Sequence, residues 1–148
     1  MTERADTDPR RIRALAVHTD DILTALEARK RERRQTVLRV LPPFSGRMRA
    51  RIHVVAGTGR ENGALHVHPG AFVANPPAYP GVDETEDELR ARGEYDIETH
   101  REAHAKAVAD WRETVRSRLR ERLVLTFPRS GGENASSSQT TLSVSYLG

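Results

Sequence analysis

Arginines recur at alternate positions in one short stretch of this chain, Arg47, Arg49 and Arg51, with His53 next in the series. Between them stand Met48, Ala50, Ile52 and Val54. Side chains alternate faces along a strand, so the pattern predicts one apolar face and one face bearing guanidinium groups in a row. A strand-like run from Thr36 to Leu41 precedes it, separated by Pro42-Pro43-Phe44-Ser45-Gly46, and the two read as a β-hairpin. If the hairpin pairs odd positions with odd, Arg39 joins the same face. Clustered guanidinium groups repel one another unless something anionic lies nearby. Phosphate satisfies them in bidentate fashion and carries no sequence information, which makes nucleic acid the first candidate partner. Arg29, Lys30, Arg33 and Arg34, at the end of the preceding segment, extend the candidate surface. Two readings compete with it: a solvated face of an antiparallel sheet, or pairing with the carboxylates of residues 83–102. Phe44 is the one aromatic near these arginines that offers a stacking surface for bases.

Histidines form the second group. His66 and His68 share a strand face at i, i+2, and His100 and His104 share a helix face at i, i+4. Two such pairs could converge on one divalent metal. The string His100-Arg-Glu-Ala-His104 is not the zinc-protease pattern, which needs Glu directly after the first His. Helical histidines that hydrogen-bond within the fold are the commoner case.

Other chemistries lack their residues. There is no cysteine, so thiol catalysis, disulfides and Cys-ligated zinc are excluded. Ser45 has no Gly-x-Ser-x-Gly context, and Gly57-Thr58-Gly59 lacks the Gly-Lys-Ser/Thr ending of a phosphate loop. No cofactor is indicated, no catalytic residue stands out, and a non-enzymatic binding module is the expectation.

Charge distribution supports an acidic partner. Residues 1–60 carry 14 Arg and Lys against 7 Asp and Glu, whereas residues 61–128 carry 9 against 13. A cationic front fits nucleic acid or an acidic protein. No window approaches 18 uninterrupted apolar residues, and Met1–Arg13 lacks the apolar centre of a signal peptide, so a cytoplasmic location away from membranes is expected.

The elements that must position these groups are then read from periodicity. Asp8 and Pro9 open a helix running to about Arg34, with Ile12, Leu15, Ala16, Thr19, Ile22, Leu23 and Leu26 as its buried stripe. After the hairpin come a short strand at Ala64–His68, a helical turn at Pro69–Val73 and a proline-rich loop at 75–81. Asp83 and Glu86 form a capping box for a short helix. Asp96 caps a long helix whose face carries His100, His104, Val108, Trp111, Val115 and Leu119. Leu123–Phe127 reads as a strand. The expected organisation is a disordered stretch at 1–7, one α+β domain at 8–128 and a flexible Ser/Gly-rich tail at 129–148. Leu142, Val144 and Tyr146 alternate with serines there, so the tail could instead add as an edge strand. The fold class is α+β, a small antiparallel sheet built on a central β-hairpin and packed by long N-terminal and C-terminal helices.

The segments Ile12-Arg-Ala-Leu-Ala-Val-His18, Val37-Leu-Arg-Val-Leu-Pro-Pro-Phe-Ser-Gly-Arg-Met-Arg-Ala-Arg-Ile-His53 and Asp83-Glu-Thr-Glu-Asp-Glu-Leu89 resemble a family of uncharacterised proteins of halophilic archaea. The likeness covers most of residues 8–125 and leaves the tail outside. It implies no activity, cofactor or catalytic residue. It does imply a cytoplasm of high salt, where proteins are usually strongly acidic, and a pI near 9.8 departs from that habit.

Overall fold

The computed structural model describes residues 7–56, 63–127 and 137–148. Their fold is α+β, with three α-helices and two small sheets among the described residues. The chain divides into two compact units, one built from the residues up to Ala74 and from Arg120 onward, the other Asn75–Leu119. The Gly57-Thr58-Gly59 turn, the N-terminal residues 1–6 and the tail residues 128–136 lie outside the described residues.

The first unit begins where a long helix was expected, and the structure corrects that expectation. Asp8 does accept from the Arg10 backbone N–H with Pro9 at the first position, but it caps only a 3-10 turn, Pro9–Arg11. Strand β1 follows at Ala14–His18, and helix α1 runs from Thr19 to Arg31. Leu15 and Val17 alternate with Ala14 and Ala16, so the segment fits period two as well as period 3.6. Partners decide the matter: β1 lies between β3 (Arg47–Arg49) and β7 (Ser138–Leu147), parallel to both. Those partners come from far along the chain, and no local periodicity reports them.

The four-stranded sheet has the order β3-β1-β7-β6, with β6 (Arg122–Phe127) antiparallel to β7. Ser138–Leu147 is therefore an interior strand and not a flexible tail. Its alternation holds because Leu142 is fully buried while Thr141, Ser143 and Ser145 stay exposed.

The hairpin is present in the predicted register. Strand β2 (Thr36–Val40) pairs antiparallel with β4 (Arg51–Val54), with Val37 opposite His53 and Arg39 opposite Arg51. Strand β5 (Leu65–Val67) pairs with the other side of β2 to complete a three-stranded sheet. The predicted single strand from Arg47 to Val55 is broken. The Ala50 N–H still donates to Ala16 of β1 at 3.0 Å, and the next residue begins pairing with β2. One extended segment thus switches sheets at Ala50, which is buried. Because β4 is an edge strand, Val54 is 44% exposed where an apolar core position was expected.

The core of this unit includes Ile12, Leu15, Val17, Ile22, Leu38, Val40, Phe44, Phe72, Leu123 and Leu142. Helix α1 contacts β2 and β4, and buries Ile22, Leu23, Ala25 and Leu26.

In the second unit, helices α2 (Val82–Ala91) and α3 (Ile97–Ser117) pack together. Asp96 caps α3 as expected, accepting from the Thr99 N–H at 2.8 Å. The Asp83–Glu86 capping box is not formed; α2 starts two residues earlier, with Gly81 at its cap. The Trp111 indole donates to the Pro77 carbonyl at 3.1 Å and meets the Tyr79 ring edge-on. That pair pins the proline-rich loop to α3.

Candidate nucleic-acid interface

The arginine series is exposed where the sequence placed it. Arg47, Arg49 and Arg51 are all exposed, Ala50 is buried, and Met48 and Ile52 are half-buried. Among the described residues the side chains of these three arginines make no hydrogen bond or ion pair, so their charge is not neutralised locally. Alternate residues of a strand are about 6.6 Å apart. The row follows a chain that is continuous through the junction of the two sheets.

Each half of the row has different company. Arg51 stands opposite Arg39 on β2, and Arg39 stands opposite His66 on β5, giving one line across the three-stranded sheet. The His53 and His66 rings lie 5.8 Å apart on that face. Arg47 and Arg49 belong to the four-stranded sheet. There Arg47 is in register with Ala14, Ala14 with Ser143, and Ser143 with Arg122. Register partners share a face, so small residues of β1 and β7 lie between arginines on the two edge strands. A depression of about 370 Å³ sits there, lined by Ala14, Ala16, Arg47, Met48, Ser143 and Ser145. Sequence reasoning missed Arg122, Ser143 and Ser145. Their signal was the Ser/Thr alternation after residue 138, which the tail reading set aside.

Two members of the second cationic group are engaged within the fold. The Arg29 guanidinium donates to the Thr36 carbonyl at 3.0 Å, and Arg34 pairs with Glu32 at 3.1 Å. Arg33 takes a left-handed backbone conformation, φ 54°, as the chain leaves α1. Lys30 and Arg33 are exposed. Phe44, expected as a stacking surface, is 1% exposed and belongs to the core. It packs inward because the loop that carries it also delivers the Gly46 carbonyl to the Arg13 and Ala14 N–H groups.

The histidines serve the fold. His68 Nδ1 accepts from the Gly70 N–H at 2.9 Å and caps the 3-10 turn Pro69–Phe72. Burial, then the nearby charges of Arg29 and Lys30, hold its imidazole below the ordinary range. His104 Nδ1 lies 3.2 Å from the Thr85 hydroxyl, and His100 Nε2 lies 3.0 Å from the Val82 carbonyl. These contacts join α2 to α3. His66 and His68 belong to one unit, His100 and His104 to the other. No three or more His, Asp or Glu side chains gather around a common point among the described residues.

The sequence profile of a domain of unknown function (DUF8009) matches residues 1–148. The chain belongs to that family. The match extends over the C-terminal strand, which the earlier resemblance left outside, in keeping with its interior place in the sheet. No curated protein and no solved structure matches the chain. Among the described residues, no helix of this DUF8009 member is long and apolar enough to cross a membrane.

Proposed function

We propose that this DUF8009 protein is a non-enzymatic module that contacts nucleic-acid phosphates through Arg47, Arg49 and Arg51. The observation that carries the reading is the row itself: exposed cations at alternate positions, without neutralising partners among the described residues. A guanidinium makes two parallel hydrogen bonds to a phosphate; Arg47 and Arg49 stand about 6.6 Å apart on one strand, and Arg51 follows beyond the break at Ala50. With Phe44 buried, that ring offers no stacking surface, and contacts to phosphate carry no sequence information. The same reading takes the protein to work in the high-salt cytoplasm of a halophilic archaeon. Salt there screens long-range attraction, and close bidentate contacts carry the affinity.

The test is fluorescence anisotropy with labelled single-stranded DNA, duplex DNA and RNA over a salt series. Log affinity should fall linearly with log salt, and the combined Arg47→Ala, Arg49→Ala and Arg51→Ala variant should bind weakly with a shallower slope. Absence of binding at low salt would sink the proposal.

A second reading is an interaction module for an acidic protein. It is favoured by the open side of edge strand β4, where Ile52 and the exposed Val54 line a groove of about 210 Å³ with Arg31, Arg34, Glu27 and Glu32. Co-purification of a protein partner that is lost on Val54→Asp would select it over nucleic acid.

A further inference from the structure

The depression on the four-stranded sheet has a construction that the arginine row alone does not explain. Its floor is Ala14 and Ala16 of β1 with Ser143 and Ser145 of β7. On one side stand Arg47 and Arg49 on edge strand β3; on the other stands Arg122 on edge strand β6. Three inter-strand steps separate the two edges, roughly 14 Å between backbones. Arginine side chains are long enough to lean over a floor of alanine and serine from both sides. Larger residues at those floor positions would occupy the space between them.

The lining is also chemically one-sided. It contains the Arg47 guanidinium and the Ser145 hydroxyl, with the Ser143 hydroxyl donating to the Arg13 carbonyl at 3.4 Å, and no carboxylate. Arg122 is exposed and its side chain, like those of Arg47 and Arg49, has no hydrogen bond or ion pair among the described residues. Hydroxyls and guanidinium groups are donors that a tetrahedral oxyanion accepts from several directions at once. A neutral or cationic ligand would leave the guanidinium charges uncompensated.

From this we infer that the depression is a phosphate seat, in which one phosphate group lies over Ala14 and Ser143, held between Arg47 and Arg49 on one side and Arg122 on the other. The inference rests on its own residues and takes from the nucleic-acid reading only the source of the phosphate, a diester of the backbone. Contact from two sides fixes position as well as supplying charge, so the seat would set where a strand of nucleic acid crosses the protein. A free phosphate compound has the same chemistry, and the test separates the two sources.

The experiment uses the full chain, a fluorescein-labelled oligodeoxynucleotide and inorganic pyrophosphate. Arg122→Glu is expected to weaken oligonucleotide binding roughly tenfold and to lower the salt slope by about one or more, with pyrophosphate competing in the parent protein. Arg122→Lys, which keeps the charge but not the fork, should fall between. Ser145→Phe fills the floor without changing a charge and should act in the same direction, so the outcome does not hang on one variant folding. Pyrophosphate binding that Arg122→Glu abolishes, without oligonucleotide binding, keeps the seat with a free phosphate as its ligand and removes the nucleic-acid proposal. The seat is overturned if Arg122→Glu and Ser145→Phe, melting like the parent, leave both probes bound as before. In that case the row of Arg47, Arg49 and Arg51 can still account for oligonucleotide binding. No binding of either probe at low salt overturns both.

Discussion

Arg39 and Arg51 face each other directly across the β2–β4 pair, two cations in one antiparallel register. Like charges so placed destabilise a sheet by a few tenths of a kcal/mol up to about 1 kcal/mol. Arg51→Thr, which keeps a good strand former, is therefore expected to melt above the parent at low salt, by about 0.5 kcal/mol in stability. The difference should close as salt is raised. Thermal unfolding across a salt series measures it, and identical melting at low salt would show that Arg51 costs the fold nothing.

Leu142 tests the placement of the C-terminal strand. It is 0% exposed and pairs with Leu123 of β6, so Leu142→Ala should cost about 2–5 kcal/mol. Ser143→Ala, one residue away on the exposed face, should change stability by less than about 0.5 kcal/mol. Urea denaturation of the two variants separates an interior strand from a loose tail, for which both changes would be silent.

Trp111 is the single tryptophan of the chain, so its fluorescence reports on the second unit alone. Trp111→Phe removes the donor to the Pro77 carbonyl while keeping an aromatic ring near Tyr79. A loss of about 1 kcal/mol is expected. In the parent, Tyr79→Ala should shift the emission maximum by opening the indole to water, and an unchanged spectrum would contradict the edge-on contact.

His68 gives the fold a dependence on pH. Its folded-state pKa lies below the ordinary 6.5, through burial first and then the charges of Arg29 and Lys30. The neutral ring is favoured, so its contribution is fully present above that ordinary value and is lost as pH falls through the folded-state pKa. His68→Asn, which retains an acceptor for the Gly70 N–H, should flatten the acid limb of a stability–pH curve. Superimposable acid limbs would count against the assignment.

Tyr146 sets the opposite limb. Burial pushes its phenol up to about 12, and its hydroxyl donates to the Arg120 carbonyl at 2.5 Å. A raised folded-state pKa means the contribution is present below about 10 and is lost as pH climbs through about 12. Tyr146→Phe should make alkaline unfolding less steep, as read by circular dichroism against pH.

Local features of this chain were legible in its sequence. Alternation through Arg47–Val54 and the turn residues before it pointed to the hairpin, because both signals lie within a few residues, while its register stayed a condition that the β2–β4 pairing fulfils. Asp96 was legible as a cap for the same reason. What failed depended on distant partners. Ala14–His18 carries both a helical and a strand period, and only β3 and β7 select between them. The break at Ala50 is invisible in a pattern that keeps its parity through the bend. The alternation of Leu142, Val144 and Tyr146 allowed an edge strand beside the flexible-tail reading, and only the pairing with both β1 and β6 makes it an interior one. For the candidate site, Arg47, Arg49 and Arg51 were legible as a row, whereas Arg122 and the serines enter only through sheet order.

Strand β7 lies between β1 and β6, and it is made more than a hundred residues after β1. Until residues 138–147 have left the ribosome, β1 and β6 have no common neighbour. At about 5–20 residues per second, β1 waits on the order of ten seconds for the strand that joins it to β6. Folding of this unit is therefore expected to wait for the synthesis of β7. During that interval the nascent chain displays open strand edges, which is the state most exposed to mispairing and to capture by chaperones.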